Sequence, residues 1–120
     1  MQINIKFTGT VHDDVLRAYA EEKVHAVAKL LTPTVFDAAI CSIELQRDAR
    51  HQSGDVYHAE VTLEAEGKVY RVRKEEQSFE KALDKVKDDI LQELREAKER
   101  HEHLLHKGNT RIKEEIRGVE

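Results

Sequence analysis

The chain has 120 residues, 39% of them hydrophobic and 37% charged, with a formal net charge of −4. That length fits one domain with its own core, and the interleaved charges exclude a global basic field, so any nucleic-acid surface must be a local patch. The lone Cys41 lies in an apolar strand pattern and reads as a small core residue in a reducing, cytoplasmic setting; residues 1–30 hold no signal-like apolar run, and no stretch approaches a membrane span.

Ile3, Ile5 and Phe7 alternate with Gln2, Asn4 and Lys6, the period of a half-buried strand. Gly9 and Thr10 break it, and Val11-His12-Asp13-Asp14 opens a helix with acids at its positive end. With His12 as the cap, Val11 and Leu16 form a hydrophobic staple. Leu16, Ala20, Val24, Val27 and Leu31 keep helical spacing until Pro33 forbids continuation, so the helix ends near Leu31. A second strand follows from Phe36 to Arg47, with Cys41, Ile43 and Leu45 on one face. Asp48 to Asp55, containing Ser53-Gly54, reads as a longish hairpin connection. In the third strand Tyr57, Ala59, Val61, Leu63 and Ala65 alternate with His58, Glu60, Thr62, Glu64 and Glu66. Glu66-Gly67-Lys68 turns the chain into a fourth strand, where Tyr70 and Val72 face in and Val69, Arg71 and Arg73 face out.

Ser78 caps a long helix whose apolar stripe is Phe79, Leu83, Val86, Ile90, Leu94 and Ala97. From Ser78 to His106 it spans roughly 40 Å, against about 20 Å for the strands, so its second half should run past the core. That half carries Arg95, Lys98, Arg100 and the histidines 101, 103 and 106, a surface for a partner. Gly108 reads as a left-handed stop, after which Thr110 opens a short tail helix with Ile112 and Ile116 one turn apart. The chain thus divides into a domain over 1–106 and a tail over 107–120. The tail is expected to fold back onto the projecting helix or dock on a partner.

The order β-α-β-β-β-α, with apolar stripes on both helices and one polar sheet face, predicts an α+β two-layer sandwich. Its four-stranded sheet has the order 1-2-3-4, with strands one and two parallel and both helices on one face.

Signals for enzymatic chemistry are weak. His101-Glu102-His103-Leu104-Leu105-His106 resembles a zinc-protease helix in outline, but that motif needs histidines four apart around a glutamate, and position 105 is Leu. His25, His51 and His58 have no nucleophile or acid partner in the sequence, and no phosphate-binding glycine loop is present. His103 and His106, three apart, could share a metal at an exposed site, but surface histidines at a helix end are the commoner explanation, so no cofactor, metal or small-molecule substrate is expected.

An ordered set of segments carries a resemblance. Met1-Gln2-Ile3-Asn4-Ile5, Leu16-Arg17-Ala18-Tyr19 through Lys23 and Lys29, Ser53 to Val61, Gly67-Lys68, and Ala82-Leu83-Asp84 together resemble the ribosome hibernation-promoting factor family, also described as ribosome-associated inhibitor A or sigma-54 modulation protein. The resemblance covers residues 1–106 and is to a short form. It implies a cytoplasmic factor, not an enzyme, that binds rRNA in the decoding region of the small ribosomal subunit, overlaps the tRNA and mRNA sites, and inhibits translation in stress or stationary phase. By the same resemblance Lys23 and Lys29 on the first helix, and Lys85, Arg95, Lys98 and Arg100 on the second, are RNA contacts. Arg47, Arg50 and His51 at the hairpin, and Arg71 and Arg73 on the open sheet face, complete the set. Glu22 and Glu96 stand where the family often carries basic residues. The plainer reading of these charges is a solvated helix face stitched by pairs such as Glu96–Arg100 or Lys85–Asp89, each worth about 0.3–0.5 kcal/mol. A general double-stranded-RNA-binding module and a protein-interaction adaptor are the alternative functions.

Overall fold

The alternation of apolar and polar residues becomes a single mixed sheet in the computed structural model, which describes residues 1–49 and 54–119, with side chains through Lys107. The elements in chain order are β1 (Gln2–Thr8), α1 (Asp14–Ala28), α2 (Pro33–Ala38), β2 (Ile40–Asp48), β3 (Val56–Ala65), β4 (Lys68–Glu76) and α3 (Phe79–Val119). The sheet order is β1-β2-β3-β4, with β1 parallel to β2 and the other neighbours antiparallel. This is the predicted arrangement with one short helix added.

Register explains the two faces. Ile5, Ile43, Val61 and Val72 lie opposite one another across the four strands and point into the core. The next row, Lys6, Glu44, Glu60 and Arg73, points the other way. α1 lays Leu16, Ala20, Val24 and Val27 on the inner face, and α3 adds Phe79, Leu83, Val86, Ile90 and Leu94 to the same cluster. Leu45, Leu63, Leu83, Ile90 and Val86 are fully buried, each contributing about 1.5–3 kcal/mol of burial. Cys41 is 3% exposed among them, and burial pushes its thiol up to about 11, so it packs as a small apolar side chain.

Local chemistry departs from expectation at three places. α1 is capped by Asp13 rather than His12: its Oδ1 accepts from the amides of Val15 at 2.9 Å and Leu16 at 3.1 Å, which an imidazole one residue earlier does not reach. His12 instead meets the Phe7 ring edge-on at 5.0 Å, and Val11, 82% exposed, forms no staple. After Ala28 the amides of Leu30 and Leu31 bond to the Val27 and Ala28 carbonyls, tightening the last turn. Thr32 then caps a new helix whose first residue is Pro33, so Phe36 is helical and β2 begins at Ile40.

The third departure is Gly108. α3 is one helix of 41 residues, about 60 Å long, and it accounts for most of the 72 Å long axis of the molecule. A mid-helix glycine costs about 1 kcal/mol relative to alanine, which does not end a helix flanked by good helix formers such as Lys107, Arg111, Lys113 and Glu114. The backbone therefore continues straight on instead of folding back. The expected Ile112–Ile116 side-chain pair lies outside the described residues.

Candidate nucleic-acid interface

The two long helices meet through polar groups as well as through the core. Tyr19 and Lys23, one turn apart on α1, both reach Asp84 on α3: the Tyr19 hydroxyl donates to Asp84 Oδ1 at 2.6 Å, and Lys23 Nζ lies 3.1 Å from the same oxygen. The ammonium also sits 4.7 Å over the Tyr19 ring. The Tyr19 hydrogen bond, then Lys23, holds the Asp84 carboxyl below the usual carboxylate range; the bond to Asp84 pushes the Tyr19 phenol up and raises the Lys23 ammonium. Lys87 lines the same α1–α3 cleft as Lys23 and lies 3.0 Å from Asp88. The cleft floor is apolar and its free volume, about 20 Å³, is that of one water molecule, too small for a substrate.

Along the outer side of α3, Lys81, Lys85, Arg95, Lys98 and Arg100 are exposed. Ser78 anchors this helix by accepting from the Lys81 amide at 3.2 Å. Lys85 pairs with Glu76 at the end of β4 rather than with Asp89, which takes Lys74 at 2.8 Å. Glu96 accepts from Gln92 at 3.0 Å instead of from Arg100. The Lys85–Asp89 pairing expected from spacing loses because β4 presents Glu76 and Lys74 to the same helix. Arg95, Lys98 and Arg100 form no ion pair among the described residues.

Arg47, Arg71 and Arg73 are spent on neighbours. Arg47 directs Nε and Nη2 to Asp55 Oδ2 at 3.0 and 2.6 Å, bracing the hairpin. Arg50 and His51 lie outside the described residues. On the open sheet face Arg71 donates to Thr62 Oγ1 at 3.3 Å, and Arg73 lies 3.3 Å from His58 Nδ1 and 3.7 Å from Glu60. His58, on the polar face of the sheet, is nonetheless 7% exposed, because Arg73 and Glu75 close over it; Glu75, at 3.2 Å, is an acid partner that the sequence did not show. Lys29 is exposed at the C-terminal end of α1, where a cation complements the helix dipole.

The predicted cations therefore do not form one patch. Lys23, Lys29, Lys85, Arg95, Lys98 and Arg100 belong to the helix layer, Arg47 to the hairpin, and Arg71 and Arg73 to the opposite face. Two cations of the helix layer escaped the sequence reading. Lys81 is one turn before Lys85, a spacing that could have found it; Lys87 flanks the apolar stripe, where a lysine ordinarily reads as a stem covering the core. Among the described residues no three metal-ligating side chains come together, and no helix is long and apolar enough to cross a membrane.

This architecture is found in solved proteins. The N-terminal domain of Thermus thermophilus Protein Y superposes with a TM-score of 0.65 at 18% identity, covering 78% of this chain and 96% of that one. A ribosomal subunit interface protein from Coxiella burnetii does so with a TM-score of 0.65 at 17% identity, covering 82% and 98%. At these identities the likeness speaks for the fold alone. No curated protein matches the chain. The model of the family described as "Sigma 54 modulation protein / S30EA ribosomal protein" does match, over residues 3–102, from the start of β1 well into α3. With most of its length covered, the chain belongs to the Sigma 54 modulation protein / S30EA ribosomal protein family.

Proposed function

We propose that this chain is a ribosome-associated hibernation factor that binds the decoding region of the small subunit, occludes the tRNA and mRNA sites, and silences translation under stress. The family match over residues 3–102 carries this reading. The names of the solved proteins that share the fold, Protein Y and a ribosomal subunit interface protein, point the same way. Such a role needs no bond chemistry. It needs a stiff domain that fits between RNA walls and sets cations against phosphates.

The helix layer meets those needs best. Its core is continuous with the sheet and holds α1 and α3 as far as Leu94; Lys23, Lys29, Lys81 and Lys85 project from that part, and Arg95, Lys98 and Arg100 from the turns just beyond it. Within that layer Lys23 and Lys85 are paired with Asp84 and Glu76, whereas Lys29, Lys81, Arg95, Lys98 and Arg100 form no ion pair among the described residues; Arg47, Arg71 and Arg73 contribute less because they lie off this layer, on the hairpin and the opposite sheet face. The mechanism is competition: bound protein excludes tRNA and mRNA from space they must occupy, so inhibition follows occupancy without a cofactor. Purified small subunits mixed with the protein and pelleted through sucrose test this. Co-sedimentation that weakens with rising salt, together with inhibition of cell-free translation, is expected. No association at physiological ionic strength would overturn the reading.

A further inference from the structure

Asp84 joins two helices and one cation. Its Oδ1 oxygen takes both the Tyr19 hydroxyl at 2.6 Å and the Lys23 ammonium at 3.1 Å, and the ammonium rests 4.7 Å above the Tyr19 ring. A surface lysine ordinarily samples many rotamers, and a ligand that binds it must suppress that freedom. At this seam the carboxylate and the ring have already suppressed it. An ammonium has three N–H donors, and the Asp84 oxygen together with the Tyr19 side chain leaves one of them available. The Lys23 side chain remains 23% exposed, along the same cleft as Lys87. Asp84 is held ionised by the Tyr19 hydroxyl and by Lys23, so the arrangement persists at neutral pH.

We propose that Asp84 is a positioning residue for RNA binding, holding Lys23 against Tyr19 at the α1–α3 seam so that a fixed ammonium meets a backbone phosphate. The proposal rests on the ribosome-binding reading above and names a residue of opposite charge as part of the anion-binding surface. Simple electrostatics predicts the reverse, because a carboxylate beside phosphates repels them and neutralises its lysine. The two accounts therefore differ in the sign of one substitution.

Asp84→Asn removes the negative charge and keeps the shape, with Oδ1 still able to accept from Tyr19. If Asp84 silences Lys23, this variant binds small ribosomal subunits more tightly than the parent. If Asp84 positions Lys23, it binds roughly three- to tenfold more weakly. Its slope of log affinity against log salt also falls by about 0.7–0.9, the loss of one phosphate contact. Lys23→Gln gives the same loss, and the double variant binds no worse than Lys23→Gln alone, the non-additivity expected of residues acting as a unit. Thermal melts by circular dichroism verify that each variant is folded, and Lys23→Gln, altering one partly exposed side chain, serves even if Asp84→Asn is unstable. Asp84→Asn binding at least as tightly as the parent, or losses that add in the double variant, would overturn the proposal while leaving ribosome binding intact. A parent protein that fails to bind removes the ribosome-binding reading and this proposal with it.

Discussion

Gly9 stands where β1 leaves the sheet, with φ at +70°, and a Cβ added there would lie 2.4 Å from the Arg47 carbonyl oxygen. Both the left-handed backbone and the close approach to β2 require glycine. Gly9→Ala should destabilise the domain by about 1–3 kcal/mol, read as a lower midpoint in urea with an unchanged slope. A midpoint equal to that of the parent would mean that the strand end can shift away from β2 at no cost. At this scale the sequence was only partly legible. Gly9 is visible as a breaker, but the carbonyl it approaches belongs to a residue 38 positions away. The same holds for Lys23: its helical position was readable, whereas its hold on Asp84 depends on the crossing of α1 and α3. The cap of α1 is Asp13 and not the expected His12: aspartate is a favoured capping type whose short carboxylate reaches the Val15 and Leu16 amides, so residue type pointed to it where position did not.

Among the elements, α3 decides most. Its stripe of Phe79, Leu83, Val86, Ile90, Leu94 and Ala97 is buried as its spacing requires, and the exposed Arg95, Lys98 and Arg100 occupy the remaining faces. Replacing these three with alanine should leave stability within about 1 kcal/mol, since exposed charges contribute little and alanine favours helix. On the ribosome-binding reading the same triple variant should lose affinity for small subunits and show a shallower salt dependence. Binding equal to that of the parent in a sedimentation titration would identify this part of α3 as a solvated face. α2 is not legible from spacing, where Pro33 marks only the end of α1. Thr32-Pro33 is equally a cap followed by a first helical residue, and the six-residue helix it opens is too short for periodicity to reveal.

At the scale of the molecule, a two-layer domain carries a helix that outruns it: α3 continues to Val119, whereas the family match ends at residue 102. The core cluster draws on α3 no further than Leu94, so the distal part adds little to the domain's own packing. Truncation after Lys107 should leave the domain folded, with a melting temperature within about 4 °C of the parent, the equivalent of ~1 kcal/mol. A larger drop would show that the distal helix packs on the domain. The sequence by itself determined the elements with strong period, the order of the sheet, the face that each strand buries, and the family. Those properties follow from side-chain spacing and from connection rules, which are local or topological. Only the tertiary structure decided which charges are free. Lys85 chose Glu76 over Asp89, Arg73 closed over His58, and Lys23 was fixed by Asp84. An ion pair is settled by distances of a few ångströms between elements remote in the chain, and no residue spacing along a single helix encodes them.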